Sequence, residues 1–234
     1  MSTPIFTPLS ALLSTPILVF DLDGTLVDTA PDLANTLNVI LTQEGFEPVH
    51  YNEARIMIGA GARFMIERAL KAQQASVTPA KLDRMFDDFI EHYVAHIADA
   101  SQPFPGLVPA LDRLAASGFT LAVCTNKLEG PSRLLLDALD LTKHFAFICG
   151  QDTFSVKKPD PEVLKLTIER AGGTIADAVM IGDSATDIDT ARAAGIPVIA
   201  VDFGYTEIPV ARLNPDLVIS HFDALPAAIA GLRK

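Results

Sequence analysis

The chain has 234 residues, 49% of them apolar and 20% charged, so it can bury a substantial core and does not resemble a disordered chain. Its formal net charge of −11 and its lack of a basic block argue against nucleic-acid binding, and no apolar run reaches the length of a membrane span. The two cysteines, Cys124 and Cys149, lie in apolar runs. They indicate small buried hydrophobes in a reducing, cytoplasmic setting rather than a disulfide framework.

The first hundred residues divide into three segments. Residues 1–15 lack the basic segment of a signal peptide and are expected to form a poorly ordered extension. The apolar run 17–21 predicts a first strand that is buried on both faces. Residues 28–100 contain no convincing strand, and their apolar residues recur at helical spacing, which predicts a helical insertion. The recurring residues are Leu33, Leu37, Ile40, Leu41, Ile56, Phe64, Ile66, Leu70, Leu82, Met85, Phe86, Phe89, Ile90 and Tyr93.

From residue 119 onward, apolar runs of strand length alternate with segments of helical period. This alternation predicts an α/β fold, with a Rossmann-like parallel-sheet core that helices cover on both faces. We therefore divide the chain into an extension (1–15), an α/β core (16–27 and 101–234) and a small helical domain (28–100) inserted after the first strand. Further strands are predicted at 119–124, 145–149, 178–182, 197–202 and 216–220, and core helices at 130–140, 160–171, 185–194 and 223–232.

Polar side chains follow the predicted strands at the sheet edge where open α/β folds bind ligands. Asp21 and Asp23 follow the first strand, and the segment 125–127 (TNK) follows the second. Lys158 lies in a loop after the third strand, and the segment 182–187 (GDSATD) follows the fourth. Like charges in close proximity cost stability, and a bound cation would offset that cost.

Several carboxylates at one edge form a hard-oxygen site, for which Mg²⁺ with waters and a substrate phosphate is the expected occupant. Asp183 would join Asp21 around the metal. Lys158 can hold a phosphate oxygen, while the Thr125 hydroxyl and the backbone N–H groups near Asn126 can donate to transferring phosphoryl oxygens. An aspartate can itself be the nucleophile, and a second aspartate two residues on can act as general acid and base.

These motifs resemble the haloacid dehalogenase superfamily over nearly the whole chain after the extension. The segment 21–25 (DLDGT) is similar to its first motif, which implies that Asp21 is a nucleophile forming an aspartyl-phosphate and that Asp23 is the general acid and base. Both would belong to the Mg²⁺ site, Asp23 through its backbone carbonyl. The helical insertion resembles the superfamily's small α-helical cap, which closes over the substrate and excludes water. The presence of Asp23 implies phosphatase rather than dehalogenase chemistry.

The other motifs of the superfamily fall after the later strands. Thr125 resembles the second-motif hydroxyl, and Lys158 resembles the third-motif lysine. With Asn126 they would bind the substrate phosphate. The fourth motif implies that Asp183 binds the metal, with Asp187 supporting it from just outside the coordination shell.

Three segments also resemble the bacterial phosphoglycolate phosphatases of that superfamily: 59–63 (GAGAR), 124–127 (CTNK) and 201–205 (VDFGY). The resemblance implies hydrolysis of 2-phosphoglycolate to glycolate and phosphate. For this substrate the insertion should offer a cation to the carboxylate. We predict Arg63 for that role, with Lys127 as a second substrate-binding candidate.

Other functions stay open at this point. The substrate could be another small sugar phosphate, a nucleotide or pyrophosphate, and a sugar phosphomutase would share the capped architecture. A phospho-ligand-binding module without turnover would be expected to lack the nucleophile, the lysine or the metal carboxylate, and all of these are present. The expected partner is a small phosphorylated metabolite, with no nucleic acid and no membrane. The sequence leaves the oligomeric state, monomer or homodimer, open.

Overall fold

The computed structural model describes residues 16–232, so the predicted extension 1–15 lies outside the described residues. Six of the strands in this range form one parallel sheet, and two short strands form a separate antiparallel pair. In chain order the strands are β1 (Ile17–Phe20), β2 (Val27–Asp28), β3 (Gln102–Pro103), β4 (Thr120–Cys124), β5 (Phe147–Cys149), β6 (Ala178–Gly182), β7 (Val198–Val201) and β8 (Leu217–Ile219). The large sheet has the order β5-β4-β1-β6-β7-β8.

Helices connect the strands and cover the sheet, and several begin at recognisable sequence signals. The hydroxyl of Thr78 accepts a hydrogen bond from the backbone N–H of Lys81, and the Asp160 carboxylate accepts one from Glu162 N–H. In chain order the helices are α1 (Ala30–Gln43), α2 (Tyr51–Arg55), α3 (Ala62–Ala72), α4 (Pro79–Ala95), α5 (Leu107–Ala116), α6 (Glu129–Ala138), α7 (Pro161–Arg170), α8 (Ala185–Ala194) and α9 (Leu225–Leu232). None of the helices within 16–232 has both the length and the apolar composition needed to span a membrane.

Strand β1 lies in the middle of the sheet, paired with β4 on one side and β6 on the other. All four of its residues are fully buried. Leu18 and Phe20 pack into the core that α5, α6 and α9 cover, whereas Ile17 and Val19 pack into the core that α7 and α8 cover. This two-sided burial explains why the strand has a continuous apolar sequence, and it confirms the predicted α/β fold class.

Helices α1 to α4 form the segment inserted after the first strand, and they bury a cluster of their own. Leu37, Ile66 and Phe89 are fully buried within it. The two ends of the segment meet at the β2–β3 pair, where the Asp32 carboxylate accepts hydrogen bonds from the backbone N–H groups of Ala100 and Ser101. The two ends of the insertion are therefore tied to each other at its base.

Two features of the fold go beyond the predicted elements. Helix α5 was not predicted, although Leu107, Leu111 and Leu114 are buried at helical spacing. Strands β2 and β3 contain two residues each, too few for a period of two to be recognised. Cys124 and Cys149 are free, buried and in register on β4 and β5, as expected of small hydrophobes.

Candidate active site

Asp21 stands directly after β1, at the carboxyl edge of the sheet. Its backbone N–H donates to Ile181 O at 2.9 Å, which continues the pairing with β6 and fixes the direction of the side chain. Its Oδ1 accepts hydrogen bonds from Leu22 N–H at 2.7 Å and from Lys158 Nζ at 2.9 Å. The side chain is buried, so the Lys158 ammonium is a close counter-charge in a poorly solvated place.

Three buried carboxylates meet at this edge. Asp21, Asp183 and Asp187 each place one carboxylate oxygen within 4.8 Å of the others. The Asp183 carboxylate is held from two sides, because Tyr205 N–H donates to its Oδ2 at 2.7 Å and Thr25 Oγ1 donates to its Oδ1 at 3.1 Å. The third carboxylate, on α8, belongs to a capping box with Ser184.

Lys158 is the ammonium group in direct contact with this cluster. Its Nζ lies 2.6 Å from Asp187 Oδ1 and 2.9 Å from Asp21 Oδ1. Burial opposes the charge on Lys158, but the charges of Asp187 and Asp21 outweigh burial and hold the pKa of Lys158 above its ordinary value. The lysine is therefore a permanent cation at the site.

One ammonium does not balance three carboxylates, and the carboxyl pKa values reflect the imbalance. Burial and then the charge of Asp187 raise the pKa of Asp21 to about 7, although Lys158 partly opposes the shift. Burial and then the charges of Asp187 and Asp21 raise the pKa of Asp183 to about 8. A hard divalent cation would offset the repulsion among the three carboxylates, so this set of oxygen donors fits the predicted metal.

The Asp23 carboxylate has different partners. It accepts hydrogen bonds from Thr29 Oγ1 at 2.8 Å and from Lys127 Nζ at 2.9 and 3.1 Å. Lys127 also lies over the ring of Tyr93 on α4, 4.4 Å from the ring centroid. Burial opposes the charge on Lys127, but the charge of Asp23 outweighs it and raises the pKa of the ammonium. A second buried ion pair therefore stands beside the first.

Thr125 and Asn126 follow β4 at the same edge. The Thr125 backbone N–H donates to Cys149 O at 2.9 Å, and its hydroxyl accepts from Lys127 N–H at 3.2 Å. The Asn126 Nδ2 donates to Lys158 O at 3.2 Å, while its buried Oδ1 has no hydrogen-bond partner among residues 16–232. An unsatisfied buried amide oxygen is costly, so this atom is suited to meet a ligand.

A small cavity lies between this edge and the insertion. Its volume is about 30 Å³, enough to hold water. The buried hydroxyl of Tyr93, on its wall, has no hydrogen-bond partner within the described part of the chain. The wall further includes Asp21, Asp23, Thr125, Asn126, Lys127, Leu33, Ile58, Met65, Phe89 and Ile90. The cavity is thus polar towards the sheet and apolar towards the insertion.

Arg63 is placed differently from the other candidates. It pairs with Asp83 at 2.6 Å, its side chain is 43% exposed, and its guanidinium lies 5.2 Å from the ring centroid of Phe86. It lines a wider groove of about 560 Å³, shared with Lys157 and Lys158, rather than the small cavity. The structure therefore brings together every predicted site residue except Arg63, which stands at the neighbouring groove.

Some residues of the site carried no signal in their own sequence positions. Thr29 and Tyr93 contact the second ion pair, and Tyr93 was expected only as part of the apolar stripe on α4. Tyr205 holds Asp183, and its place in the segment 201–205 was the available clue. Arg55 contacts that segment from the insertion, which no local pattern indicates.

The chain is similar to known proteins over most of its length. Residues 18–201 match the family model described as haloacid dehalogenase-like hydrolase. The chain is 53% identical over 218 residues to a protein from Mesorhizobium japonicum named phosphoglycolate phosphatase, covering 93% of this chain and 96% of that one. A protein of the same name from Agrobacterium fabrum is 46% identical over 214 residues, with 92% of each chain covered.

A solved structure has the same fold as this chain. The crystal structure of a predicted phosphoglycolate phosphatase from Haemophilus somnus superposes with a TM-score of 0.86 at 28% identity, covering 91% of this chain and 97% of that one. The resemblance to this enzyme group, expected from the motifs, is confirmed, as is the expectation of a hydrolase. The chain belongs to the haloacid dehalogenase-like hydrolase family.

Proposed function

We propose that the chain is a Mg²⁺-dependent phosphomonoester hydrolase that converts 2-phosphoglycolate to glycolate and phosphate through an aspartyl-phosphate on Asp21. The observation that carries the proposal is that two aspartates two residues apart pair with two different buried ammonium groups. Asp21 pairs with Lys158 and Asp23 pairs with Lys127, and both aspartates line one cavity. One carboxylate is thus available to attack phosphorus, while the other can donate and accept the proton. The names of the relatives from Mesorhizobium japonicum and Agrobacterium fabrum support this substrate.

The metal would be held by the carboxylates of Asp21 and Asp183 and by the backbone carbonyl of Asp23. When bound, Mg²⁺ neutralises phosphate oxygens and the surplus negative charge of the cluster. Asp187 supports the site indirectly, because it fixes the Lys158 ammonium and is itself fixed by Ser184 at the start of α8.

In the first step, an oxygen of Asp21 forms a bond to phosphorus as the bond from phosphorus to the ester oxygen breaks. Both known contacts of the Asp21 carboxylate use Oδ1, so we assign the attack to Oδ2. Asp23, which takes up a proton from solvent when its ion pair with Lys127 opens, gives that proton to the departing ester oxygen. Lys158, the Thr125 hydroxyl and the backbone N–H of Asn126 hold the phosphoryl oxygens, whose charge is redistributed as the bond changes.

In the second step, water attacks the phosphorus of the aspartyl-phosphate. Asp23, which has lost its proton, accepts one from this water. The bond between phosphorus and the Asp21 oxygen breaks, which releases inorganic phosphate and restores the Asp21 carboxylate. Protons and charges balance over the two steps, and Asp23 returns to its starting state.

For the substrate carboxylate, we propose Lys127 ahead of Arg63. Lys127 is buried on the cavity wall, whereas Arg63 already has Asp83 as a partner and stands at the wider groove. A substrate carboxylate would compete with Asp23 for the Lys127 ammonium. The same event would release Asp23 to carry the proton that the leaving group needs.

We further propose that residues 28–100 act as a cap domain on a catalytic core formed by 16–27 and 101–234. The insertion buries its own cluster and supplies the apolar wall of the cavity.

The test is release of inorganic phosphate with Mg²⁺ from 2-phosphoglycolate, pyrophosphate, nucleoside monophosphates and sugar phosphates, including β-glucose 1-phosphate. We expect kcat/KM for 2-phosphoglycolate to exceed every other value by at least about tenfold. A flat profile or a different best substrate would refute the substrate assignment while leaving the Asp21 chemistry standing. Absence of phosphate release from every compound, with isomerisation of β-glucose 1-phosphate, would identify a phosphomutase instead.

A further inference from the structure

Arg55, at the end of α2 in the insertion, contacts a core segment that follows β7. One terminal nitrogen of its guanidinium donates to the backbone carbonyls of Phe203 and Gly204, each at 2.9 Å. The guanidinium also lies over the ring of Tyr205, 5.0 Å from its centroid. Three consecutive residues, 203–205, are thus held by a single side chain of the insertion.

The segment 203–205 is also the segment that orients the Asp183 carboxylate. Tyr205 N–H donates to Asp183 Oδ2 at 2.7 Å. The Gly204 backbone lies directly against the same side chain, since a Cβ on Gly204 would fall 2.2 Å from Asp183 Oδ2. No space separates the segment from the carboxylate, so a shift of its backbone must alter the direction of the Asp183 oxygens.

The side chain of Tyr205 is anchored at its far end as well. Its hydroxyl donates to Asp28 Oδ1 at 2.5 Å and accepts from Ala30 N–H at 3.0 Å. These two partners lie where the chain enters the insertion. The buried ring is therefore held independently of Arg55, and the hydrogen bonds of Arg55 add their constraint on the backbone at Phe203 and Gly204.

We propose that Arg55 is a positioning residue for Asp183. It holds the backbone of 203–205 in the place from which Tyr205 N–H and Gly204 fix the carboxylate for metal binding. Because Arg55 belongs to the insertion, the seating of the insertion on the core is coupled to the affinity of the core for Mg²⁺. The inference rests on the metal site of the proposed function.

The test measures Mg²⁺ binding directly, by calorimetric titration of the substrate-free protein with Mg²⁺ alone. Arg55→Met removes both hydrogen bonds and the charge over the ring, and it should raise the Mg²⁺ Kd by about tenfold, at the lower end of effects seen when supporting residues of metal sites are lost. Arg55→Lys keeps a cation that can donate to one carbonyl but cannot stack as a plane, so it should recover part of the affinity.

Arg68→Met is the matched control. Arg68, on α3, also links the insertion to the core, since it donates to Ile56 O at 2.9 Å and pairs with Glu207. None of its hydrogen bonds, ion pairs or ring contacts within residues 16–232 involves 203–205. Its loss should leave the Mg²⁺ Kd unchanged. Thermal unfolding of each variant in EDTA shows whether the fold is intact and separates general destabilisation from an effect on the metal site.

An unchanged Mg²⁺ Kd in Arg55→Met would overturn the positioning role, as would an equal weakening in Arg68→Met. If Arg55→Met does not fold, an unchanged Kd in Arg55→Lys overturns it equally. Failure of the unaltered protein to bind Mg²⁺ is a distinct result, because it would refute the metal site of the proposed function itself.

Discussion

The ammonium of Lys127 lies 2.9 Å from one carboxylate oxygen of Asp23 and 3.1 Å from the other, on the wall of the cavity that Asp21 also lines. Both side chains are almost fully buried. Under the proposed mechanism, the proton carrier and the cation that meets the substrate carboxylate are therefore one ion pair. Substrate binding and readiness for proton transfer become linked at this contact.

Replacing Lys127 with methionine should raise KM more for a substrate that carries a carboxylate than for one that does not. Methionine keeps the length of the side chain and removes the ammonium, so KM for 2-phosphoglycolate should rise by about 10- to 100-fold, the value of a hydrogen bond between charged groups. KM for ethyl phosphate, which has no carboxylate, should rise by less than about threefold. Steady-state kinetics with both substrates gives the comparison, and any fall in kcat common to both reports on Asp23.

Arg63→Met serves as the control for that measurement. Arg63 is paired with Asp83 at the wider groove, so its loss should change neither KM by more than about threefold. The reverse pattern would be a rise in KM for 2-phosphoglycolate, but not for ethyl phosphate, in Arg63→Met and no such difference in Lys127→Met. That result would identify Arg63 as the carboxylate-binding residue.

Asp21→Asn should abolish turnover while preserving the fold. Loss of the nucleophile should lower kcat by at least about 10⁴-fold. Lys158 keeps Asp187 as its partner at 2.6 Å, and one of three neighbouring carboxylate charges is gone, so the melting temperature in EDTA should not fall. Phosphate release and thermal unfolding are the two measurements. Substantial activity in a correctly folded Asp21→Asn protein would refute the aspartyl-phosphate route.

The metal-free protein should lose stability as pH rises. Burial, with the neighbouring charges, raises the pKa of Asp21 from 3.8 to about 7 and that of Asp183 from 3.8 to about 8. The folded state then holds more protons than the unfolded chain between these values, so the stabilising contribution is complete below about pH 4 and is lost as pH rises to about 8. Urea midpoints in EDTA at about pH 5 and about pH 8.5 test the sign.

Two further measurements test whether Asp21 and Asp183 cause this dependence of stability on pH. Saturating Mg²⁺ binds the deprotonated cluster, so it should restore stability most strongly at the higher pH. Asp183→Asn removes one of the two titrating groups and should therefore weaken the dependence on pH. A dependence that is the same in Asp183→Asn as in the unaltered protein would show that other groups cause it.

Gly204→Ala should damage the metal site. The added methyl group would stand 2.2 Å from Asp183 Oδ2, so either the carboxylate or the backbone must move. We expect the Mg²⁺ Kd to rise by at least about tenfold and the free energy of unfolding to fall by about 1–3 kcal/mol.

The matched control for this change is Gly130→Ala. Gly130 lies in α6 with open space around the position of its missing Cβ. Its replacement should leave Mg²⁺ binding unchanged and should raise the stability slightly, by up to about 1 kcal/mol. Equal losses of Mg²⁺ affinity in the two variants would contradict the close packing described for Gly204.

Much of the fold could be predicted because its signals are local. Strand β1 has a continuous apolar run because both of its faces are buried, and α8 spans Ala185–Ala194, as predicted, with Gly195 directly after it. Helix α5 had a usable signal in Leu107, Leu111 and Leu114, but it immediately follows the proline- and glycine-containing return from the insertion. The β2–β3 pair had no usable sequence signal, since two residues per strand cannot show a period.

The sequence by itself determined which side chains gather at the sheet edge. Alternating strands and helices dictate a parallel sheet, and the carboxyl ends of parallel strands share one edge, so Asp21, Thr125, Lys158 and Asp183 had to meet there. Tertiary structure decided which ammonium pairs with which carboxylate. Lys127 and Asp23 are 104 positions apart, and no local pattern encodes that contact. The same holds for Arg55 and Gly204, 149 positions apart, because their contact exists only once the insertion packs on the core.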